Sequence, residues 1–507
     1  MSVLTPFFYI DHPLSDTRLS PGTLQADVLE EIFARLAAID PPKKQHGDPF
    51  SDSQFHLGWI YVTHVCRHWR SVGTDLATLW AGIVCSLPNA SAMGTVLQRS
   101  KGCTLNFAIE DVGALEAKIG FALDHLERAQ NFSCTSSYVW DDCRALTQRS
   151  LPALRHLSLS QNIEGMDMSI TRTIGLDAPR LQSLSLENAF FSLARPSDPL
   201  HDLHTLDLRG PCALPHPAWG LLEVLSKTPR LEHLRFQMLL FHHSQGGLWR
   251  EYPGGVVKLN HLKAVALTGG PHADIAGFWS RIYAPDNIDI YVNFRADPPG
   301  DLVIALDHQL QCPSHNTVVV NLARSRHLSV STFTLEPVAR SRVILDGGGG
   351  ATLALLADID SHVRLGHIIR LSVQLYAPYT WDDAPLLVLA RKCSSVRELT
   401  LHTDNADNLA LLAPVDEQAS PLFPLLESLS VQFDPSALKS DEVYRQWWSR
   451  LRDVLSRRSA AEICVQTLRL HGRWGWRDAG IEVIDEEMMV DLRNLALVKK
   501  VVDDRVW

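Results

Sequence analysis

Between residues 151 and 472 the chain repeats variants of one pattern, L-x-x-L-x-L. The copies are LPALRHLSLS (151–160), APRLQSLSLEN (178–188), LHDLHTLDLRG (200–210), TPRLEHLRFQ (228–237), LNHLKAVALTG (259–269), GHIIRLSVQL (366–375), SSVRELTLHT (394–403), FPLLESLSVQF (423–433) and EICVQTLRLHG (462–472). Their middle anchors are Leu157, Leu184, Leu206, Leu234 and Val265, then Leu371, Leu399, Leu429 and Leu468. Neighbouring anchors lie 22 to 31 residues apart in the first run and 28 to 39 in the second. The L-x-L centre has the period of a strand, which puts alternate side chains on one face. The intervening residues return as helix or irregular crossover. In PHPAWGLLEVLSKTPRLEHL (215–234), Trp219, Leu222, Val224 and Leu225 predict a helix that Lys227-Thr228-Pro229 ends. One such unit cannot bury its own apolar edge, whereas a stack of them buries a continuous core.

The stretch ahead of the repeats reads differently. LSPGTLQADVLEEIFARLAAIDPP (19–42) sets Leu24, Val28, Leu29, Ile32, Phe33, Leu36 and Ile39 on one stripe of a helix. Pro21-Gly22-Thr23 offers a turn and cap, and Asp40-Pro41-Pro42 a stop. A polar loop insert follows at about 40–57. GWIYVTHVCRHWRSVGTDLATLW (58–80) predicts a second helix through Ile60, Tyr61, Val65, Cys66, Trp69 and Val72, with Gly73 as C-cap. A short third helix is expected after Thr74 or Asp75, with Leu76, Leu79 and Trp80 facing in. His64, Cys66 and His68 stand at i, i+2 and i+4. On a helix Cys66 lies about 100° or more from the histidine pair, so the three cannot chelate one ion. Arg67 and Arg70, offset by Asp75 and Glu31, are too few for a DNA-reading helix.

Here the pattern matches a known module. LQADVLEEIFARL followed by VTHVCRHWRSVGTDLATLW resembles the F-box motif at Leu24, Asp27, Val28, Leu29, Ile32, Phe33, Val65, Cys66, Arg67, Trp69, Arg70, Leu79 and Trp80. With its insert between the halves, it is similar to the F-box-like proteins abundant in mushroom-forming fungi. The family's proline is Gln25 here and its glutamate is Asp27; losing the proline removes a rigid helix start that helps shape the partner surface. The repeats resemble the irregular leucine-rich repeats found C-terminal to F-boxes, although the family's turn asparagine is mostly missing, Asn188 excepted.

The resemblance implies an α/β chain: a small N-terminal three-helix F-box-like module followed by an irregular leucine-rich-repeat solenoid. The expected divisions are a tail (1–18), the module (19–82), connecting helices and a strand (83–150), the array (151–472) and a C-terminal cap (473–507). It also implies a substrate-recognition adaptor of an SCF-type ubiquitin ligase, which binds a Skp-type adaptor subunit, and through it a cullin, at one end and a target protein at the other. The adaptor grip falls on Leu24, Gln25, Val28, Leu29, Ile32, Val65 and Trp69, while Phe33 and Trp80 form the module's own core. Target contacts fall on Arg155, Gln182, His204, Arg235 and Arg397. The alternative is an interaction scaffold without ligase function, in which the degenerate module only caps the repeats.

Within 83–150, TVLQRS and GALEAKIGFALDHLERAQNF predict helices and CTLNFAIED a strand. The repeat is irregular at 285–350. There NIDIYVNF, TVVVNL, HLSVSTF and SRVILDG predict strands that are either repeats with short crossovers or a local antiparallel stack, and DLVIALDHQL is one helical candidate. SDEVYRQWWSRLRDVLSRRS (440–459) predicts an amphipathic helix with Trp447, Leu451, Val454 and Leu455 inward and Trp448 and the arginines outward.

The remaining features exclude rather than point. A net charge of −10 over 507 residues disfavours generic nucleic-acid or membrane binding. The 9 cysteines lack paired spacing and MSVLTPFFYIDHPLSD has no basic flank, so a reducing cytoplasmic or nuclear setting is expected. DGGGGAT (346–352) lacks the lysine of a phosphate-binding loop. The pairs Asp141-Asp142, Asp382-Asp383 and Glu486-Glu487 point to different sides and make poor acid/base pairs. His156, His204, His233 and His261 line strand edges. No cofactor, metal or catalytic activity is expected; an enzyme would instead need a deep pocket with convergent titratable groups.

Overall fold

A computed structural model describes residues 24–44, 55–87, 89–109, 115–135, 146, 149–160, 173–187, 190–193, 200–210, 219–237, 249, 252–295, 300–323, 327–334, 342–348, 352–375, 384–403, 407–410, 412–413, 422–433, 441–473, 479–495 and 497–506. The N-terminal tail, the Pro21-Gly22-Thr23 cap, most of the loop insert, Asp141-Asp142 and Asp382-Asp383 lie outside these residues. The chain divides into two compact units, Met1–Asn162 with Gly175–Ala178, and Ile163–Ile174 with Pro179–Trp507.

In the first unit α1 spans Ala26–Ile39 and starts without a side-chain cap at the extended Gln25. It ends where the Asp40 N–H bonds Leu36 O at 2.7 Å, just before two prolines. The chain then returns to that helix end. Trp59 N–H bonds Asp40 O at 2.9 Å, and at Gly58 (φ +57°) a Cβ would stand 2.3 Å from the same oxygen, so only glycine fits. The expected continuous second helix is broken. A 3₁₀ turn covers Gly58–His64, Cys66 is extended, and α2 runs Arg67–Asp75. Gly73 is not a C-cap but an interior residue of α2, and the space beside it is filled by Phe33, whose Cζ a Cβ there would meet at 2.8 Å. The third helix, α3 (Ala77–Gly82), starts after Leu76 rather than at Thr74 or Asp75.

The tryptophans explain this compact form. Phe33 meets Trp59 and Trp69 edge-on, each at 6.0 Å, and Trp59 meets Trp80 at 4.9 Å. Trp80 Nε1 donates to Gly73 O at 2.9 Å, which satisfies the indole inside the core. Phe33 and Trp80 are buried, as expected.

Next come α4 (Ala90–Arg99), capped by Asn89 Oδ1 accepting from Ala92 N–H, then β1 (Leu105–Ile109), α5 (Leu115–Asp124), β2 (Ala129–Thr135) and β3 (His156–Ser160). The three strands pair in parallel, with Phe107 opposite Phe132 and Phe132 opposite Leu157. Residues 129–132 were expected to extend the helix but begin a strand, since Ala129, Phe132 and Cys134 are worth more buried against the sheet than as helix surface. Strands of the repeat type therefore begin at Leu105, ahead of the first leucine motif.

In the second unit the strands are β4 (Ser183–Glu187), β5 (Thr205–Arg209), β6 (His233–Gln237), β7 (Ala264–Pro271), β8 (Asp289–Arg295), β9 (Thr317–Ala323), β10 (His327–Phe333), β11 (Arg342–Gly348), β12 (Arg370–Leu375), β13 (Glu398–Thr403), β14 (Ser428–Phe433), β15 (Thr467–Arg473) and β16 (Lys500–Val506). Across the sheet they run β4-β5-β6-β7-β8-β11-β10-β9-β12-β13-β14-β15-β16. All pairings are parallel except those of β10, which is antiparallel to both β9 and β11. The irregular stretch thus holds the second of the two expected possibilities, a local antiparallel stack of β9, β10 and β11, and not repeats with short crossovers. It also holds a parallel pair, β8 with β11, and the reversed strand β10 returns the chain. All nine motif anchors are buried.

Helices cover the leucine side: α6 (Trp219–Ser226), α7 (His272–Trp279), α8 (Gly300–Ala305), α9 (Thr352–His362), α10 (Ala384–Lys392), α11 (Asp441–Ala460) and α12 (Ala479–Asn494). Each buried leucine between helix and strand stabilises the stack by about 1.5–3 kcal/mol relative to an exposed one. Two residues of α11 overturn their expected placement. Trp448 is buried because its Nε1 donates to Asp485 Oδ1 on α12. Arg458 is buried because its guanidinium donates to the carbonyls of Leu412, Leu422 and Phe423, and burial pulls it down to about 10. The C-terminal segment adds one more helix and strand. Arg505 of β16 reaches Asp485 at 2.7 Å and Asp503 at 2.6 Å, and Tyr444 also donates to Asp485.

Candidate functional site

Two surfaces carry the residues singled out above. On the first, Gln25, Val28 and Val65 are exposed, and Leu24, Ile32 and Trp69 are half-buried. Val28 is 43% exposed and Val65 52%. Leu29 is the correction. It is wholly buried, one position round from Val28 on the inward stripe with Phe33, and offers nothing to a partner. Two exposed residues were missed, Ile39 at 77% and Tyr61 at 51%. The signal was present for Ile39: at 100° per residue Val28, Ile32 and Ile39 fall within about 40° of one another, beside the buried stripe rather than on it. His68 Nε2 hydrogen-bonds Leu24 O at 2.9 Å and so ties α2 to the start of α1. Among the described residues no group of three or more His, Cys, Asp or Glu could hold a metal ion.

The second surface is the outward face of the second unit's sheet. The register lines up its middle row as Asp207, Arg235, Ala266, Tyr291, Ile344, Ser331, Val319, Ser372, Thr400, Ser430 and Arg469. Of the expected target contacts, Arg235 lies on this row. Gln182, His204 and Arg397 do not, and in the first unit Arg155 shares their position. Each stands two residues before an anchor leucine and has the wrong parity for the outward face. Their backbones open the strands instead: Arg155 N–H bonds Gln130 O, and the carbonyls of Gln182, His204 and Arg397 each accept from the next strand. The Arg397 side chain is paired with Glu427 at 3.1 Å.

Two clefts indent the outward face. One, about 400 Å³, is floored by Ala264 and Ala266 and walled by Asp207, His233 and Arg235 on one side and Asp289, Tyr291, Arg342 and Ile344 on the other. Asp207 is held by Arg209 at 2.5 Å, and Arg235 approaches it only to 4.0 Å. The Tyr291 hydroxyl donates to Asp346 Oδ2 at 2.9 Å, and burial followed by this carboxylate raises its pKa. The other, also about 400 Å³, is lined by Arg370, Glu398, Thr400, Ser430, Arg469 and His471, with Arg370 paired to Glu398 at 2.8 Å. Asp207 and Glu398 are thus engaged by guanidinium groups, and Asp346 by the Tyr291 hydroxyl and the Asn293 amide.

One parallel strand per repeat, a buried leucine ladder and helices on the leucine side make the second unit a leucine-rich-repeat-like α/β solenoid. No family model and no curated protein matches the sequence. Among solved structures it is similar to the leucine-rich repeat-containing protein LegL7 from Legionella pneumophila, at 13% identity and a TM-score of 0.24, over 71% of this chain and 86% of that one. No described helix is long and apolar enough to cross a membrane.

Proposed function

We propose that the chain is a substrate-recognition adaptor of an SCF-type ubiquitin ligase in the cytoplasm or nucleus. Its front module holds a Skp-type adaptor subunit, and through it a cullin; the outward sheet face holds a target protein. It catalyses nothing itself and raises the target's local concentration beside a charged ubiquitin enzyme. The observation that carries the reading is the apolar stripe on α1 in which Val28 and Ile39 are exposed and Ile32 half-buried, with Val65 and Tyr61 also exposed ahead of α2. A small module that leaves this much apolar surface open invites a partner helix.

The scaffold reading has its own support. α1 lacks a side-chain cap where the family has proline, and α3 packs against β1, as a cap on the array does. The test is co-purification of the adaptor and cullin subunits with the full chain, comparing wild type with Val28→Asp/Val65→Asp. Leu29→Asp is unsuitable because that side chain is core. The ligase reading expects both subunits with wild type and neither with the variant at unchanged melting temperature. Recovery of neither subunit with wild type, at the same melting temperature, favours the scaffold.

A further inference from the structure

The break in repeat order builds a recognition cleft. Because β10 returns the chain, β11 rather than the next strand in sequence lies beside β8. This sets Ile344 next to Tyr291 and Arg342 next to Asp289, and the cleft floored by Ala264 and Ala266 gains its far wall. Without the reversal neither residue would reach it.

The walls are rigid and dissimilar. Arg235 and Tyr291 flank Ala266 in direct register, two strand spacings apart, or about 9–10 Å. Tyr291 is pinned through its hydroxyl to Asp346, which Asn293 Nδ2 also reaches at 3.0 Å. Arg342 rests its guanidinium over the Phe333 ring at 5.6 Å. The spacing of Arg235 and Tyr291 leaves room over Ala266 for a planar side chain to stand between them.

Its charge sets the partner. In a chain of net charge −10, the rim gathers the exposed Arg235, Arg342 and His233. Asp207 is already neutralised by Arg209 at 2.5 Å, and Asp289 lies opposite Arg342 in the register. Arg235, 54% exposed and 4.0 Å from Asp207, is the cation best placed to take an incoming carboxylate.

We infer that this cleft anchors an extended protein segment carrying an aromatic residue flanked by acidic ones, the ring standing on Ala266 between Arg235 and Tyr291 and a flanking carboxylate meeting Arg235. This rests on the reading that the sheet face binds a protein, and it names the segment bound.

The test uses the full chain co-purified with the adaptor subunit and three fluorescein-labelled peptides, Gly-Glu-Tyr-Glu-Gly-Ser, Gly-Lys-Tyr-Lys-Gly-Ser and Gly-Glu-Ser-Glu-Gly-Ser, read by fluorescence polarisation. The acidic tyrosine peptide is expected to bind roughly tenfold or more tightly than either control. Ala266→Trp, which fills the slot, and Arg235→Glu are each expected to remove that preference. Equal binding of all three peptides, no binding of any, or an unchanged preference in Ala266→Trp overturns the assignment. Unchanged melting temperature and far-ultraviolet circular dichroism show that each variant is folded, and Arg235→Lys, which keeps the charge, is expected to retain part of the preference. Retention of the adaptor subunit in the same preparation reports on the front module separately, so failure of the cleft and failure of the ligase reading are told apart.

Discussion

Adjacent residues in α1 do opposite work. Val28 faces solvent and Leu29 is sealed against Phe33 and the tryptophans. Leu29→Ala is expected to cost about 2–5 kcal/mol in urea denaturation, and Val28→Ala under about 0.5 kcal/mol. A second residue-scale feature is Asp274 on α7, buried with neither carboxylate oxygen hydrogen-bonded. Burial pushes its carboxyl up to about 6. Since the folded value exceeds the ordinary aspartate value, folding favours the protonated form. The stability it contributes is complete below about pH 4 and lost as pH rises through about 6. Asp274→Asn is expected to flatten the fall in stability between about pH 4 and pH 6, and so to be the more stable chain at pH 8; a variant with the wild-type slope would show that Asp274 is solvated. Nothing in the sequence around His272-Ala273-Asp274 announced this carboxyl, because burial there comes from helix packing far along the chain.

At the scale of elements, legibility follows the locality of the signal. The nine leucine strands were readable because L-x-L carries both period and identity. β1 and β2 use the same inward positions, but Phe107, Ile109, Phe132 and Cys134 fill them, so a search for leucine passes over them. The helix α1 and the inward side of Phe33 and Trp80 were readable from helical spacing, while the break at Val65-Cys66 was not. The 3₁₀ turn is set by Gly58 closing on the end of α1, a contact across the insert. Of the residues expected to meet a target, only Arg235 stands on the outward row, because parity in a strand is fixed by which leucine starts the ladder. The reversed strand was one of two open readings, and pairing partners this distant leave no local trace. Val330 of β10 sits between Val320 and Leu345 and is buried. Val330→Asp is expected to cost several kcal/mol and to remove hydrogen-exchange protection from β9, β10 and β11 first.

For the whole molecule, stability accumulates repeat by repeat and the terminal unit must be held in place. Here the holding is ionic. Arg505 is buried against Asp485 and Asp503, and Asp485 also receives Tyr444 and Trp448. Arg505→Ala strands the Asp485 charge and is expected to cost about 3–5 kcal/mol. Limited proteolysis should then cut within the last helix and strand while the leucine core upstream stays protected. Asp485→Asn in the same background is expected to recover part of that loss; no recovery would mean that packing rather than charge secures the end.

The reversed strand also governs how the array can assemble. From β8 the chain must step three strand places, roughly 14 Å, to lay down β9, come back through β10 and β11, and step three places again to β12. The segments that make these two strides carry α8 and α9, which pack on each other. A stack of identical units can zip closed from any point, one at a time. This one has a clasp in its middle, and neither half can read through to the other until three strands and two crossing helices have closed together.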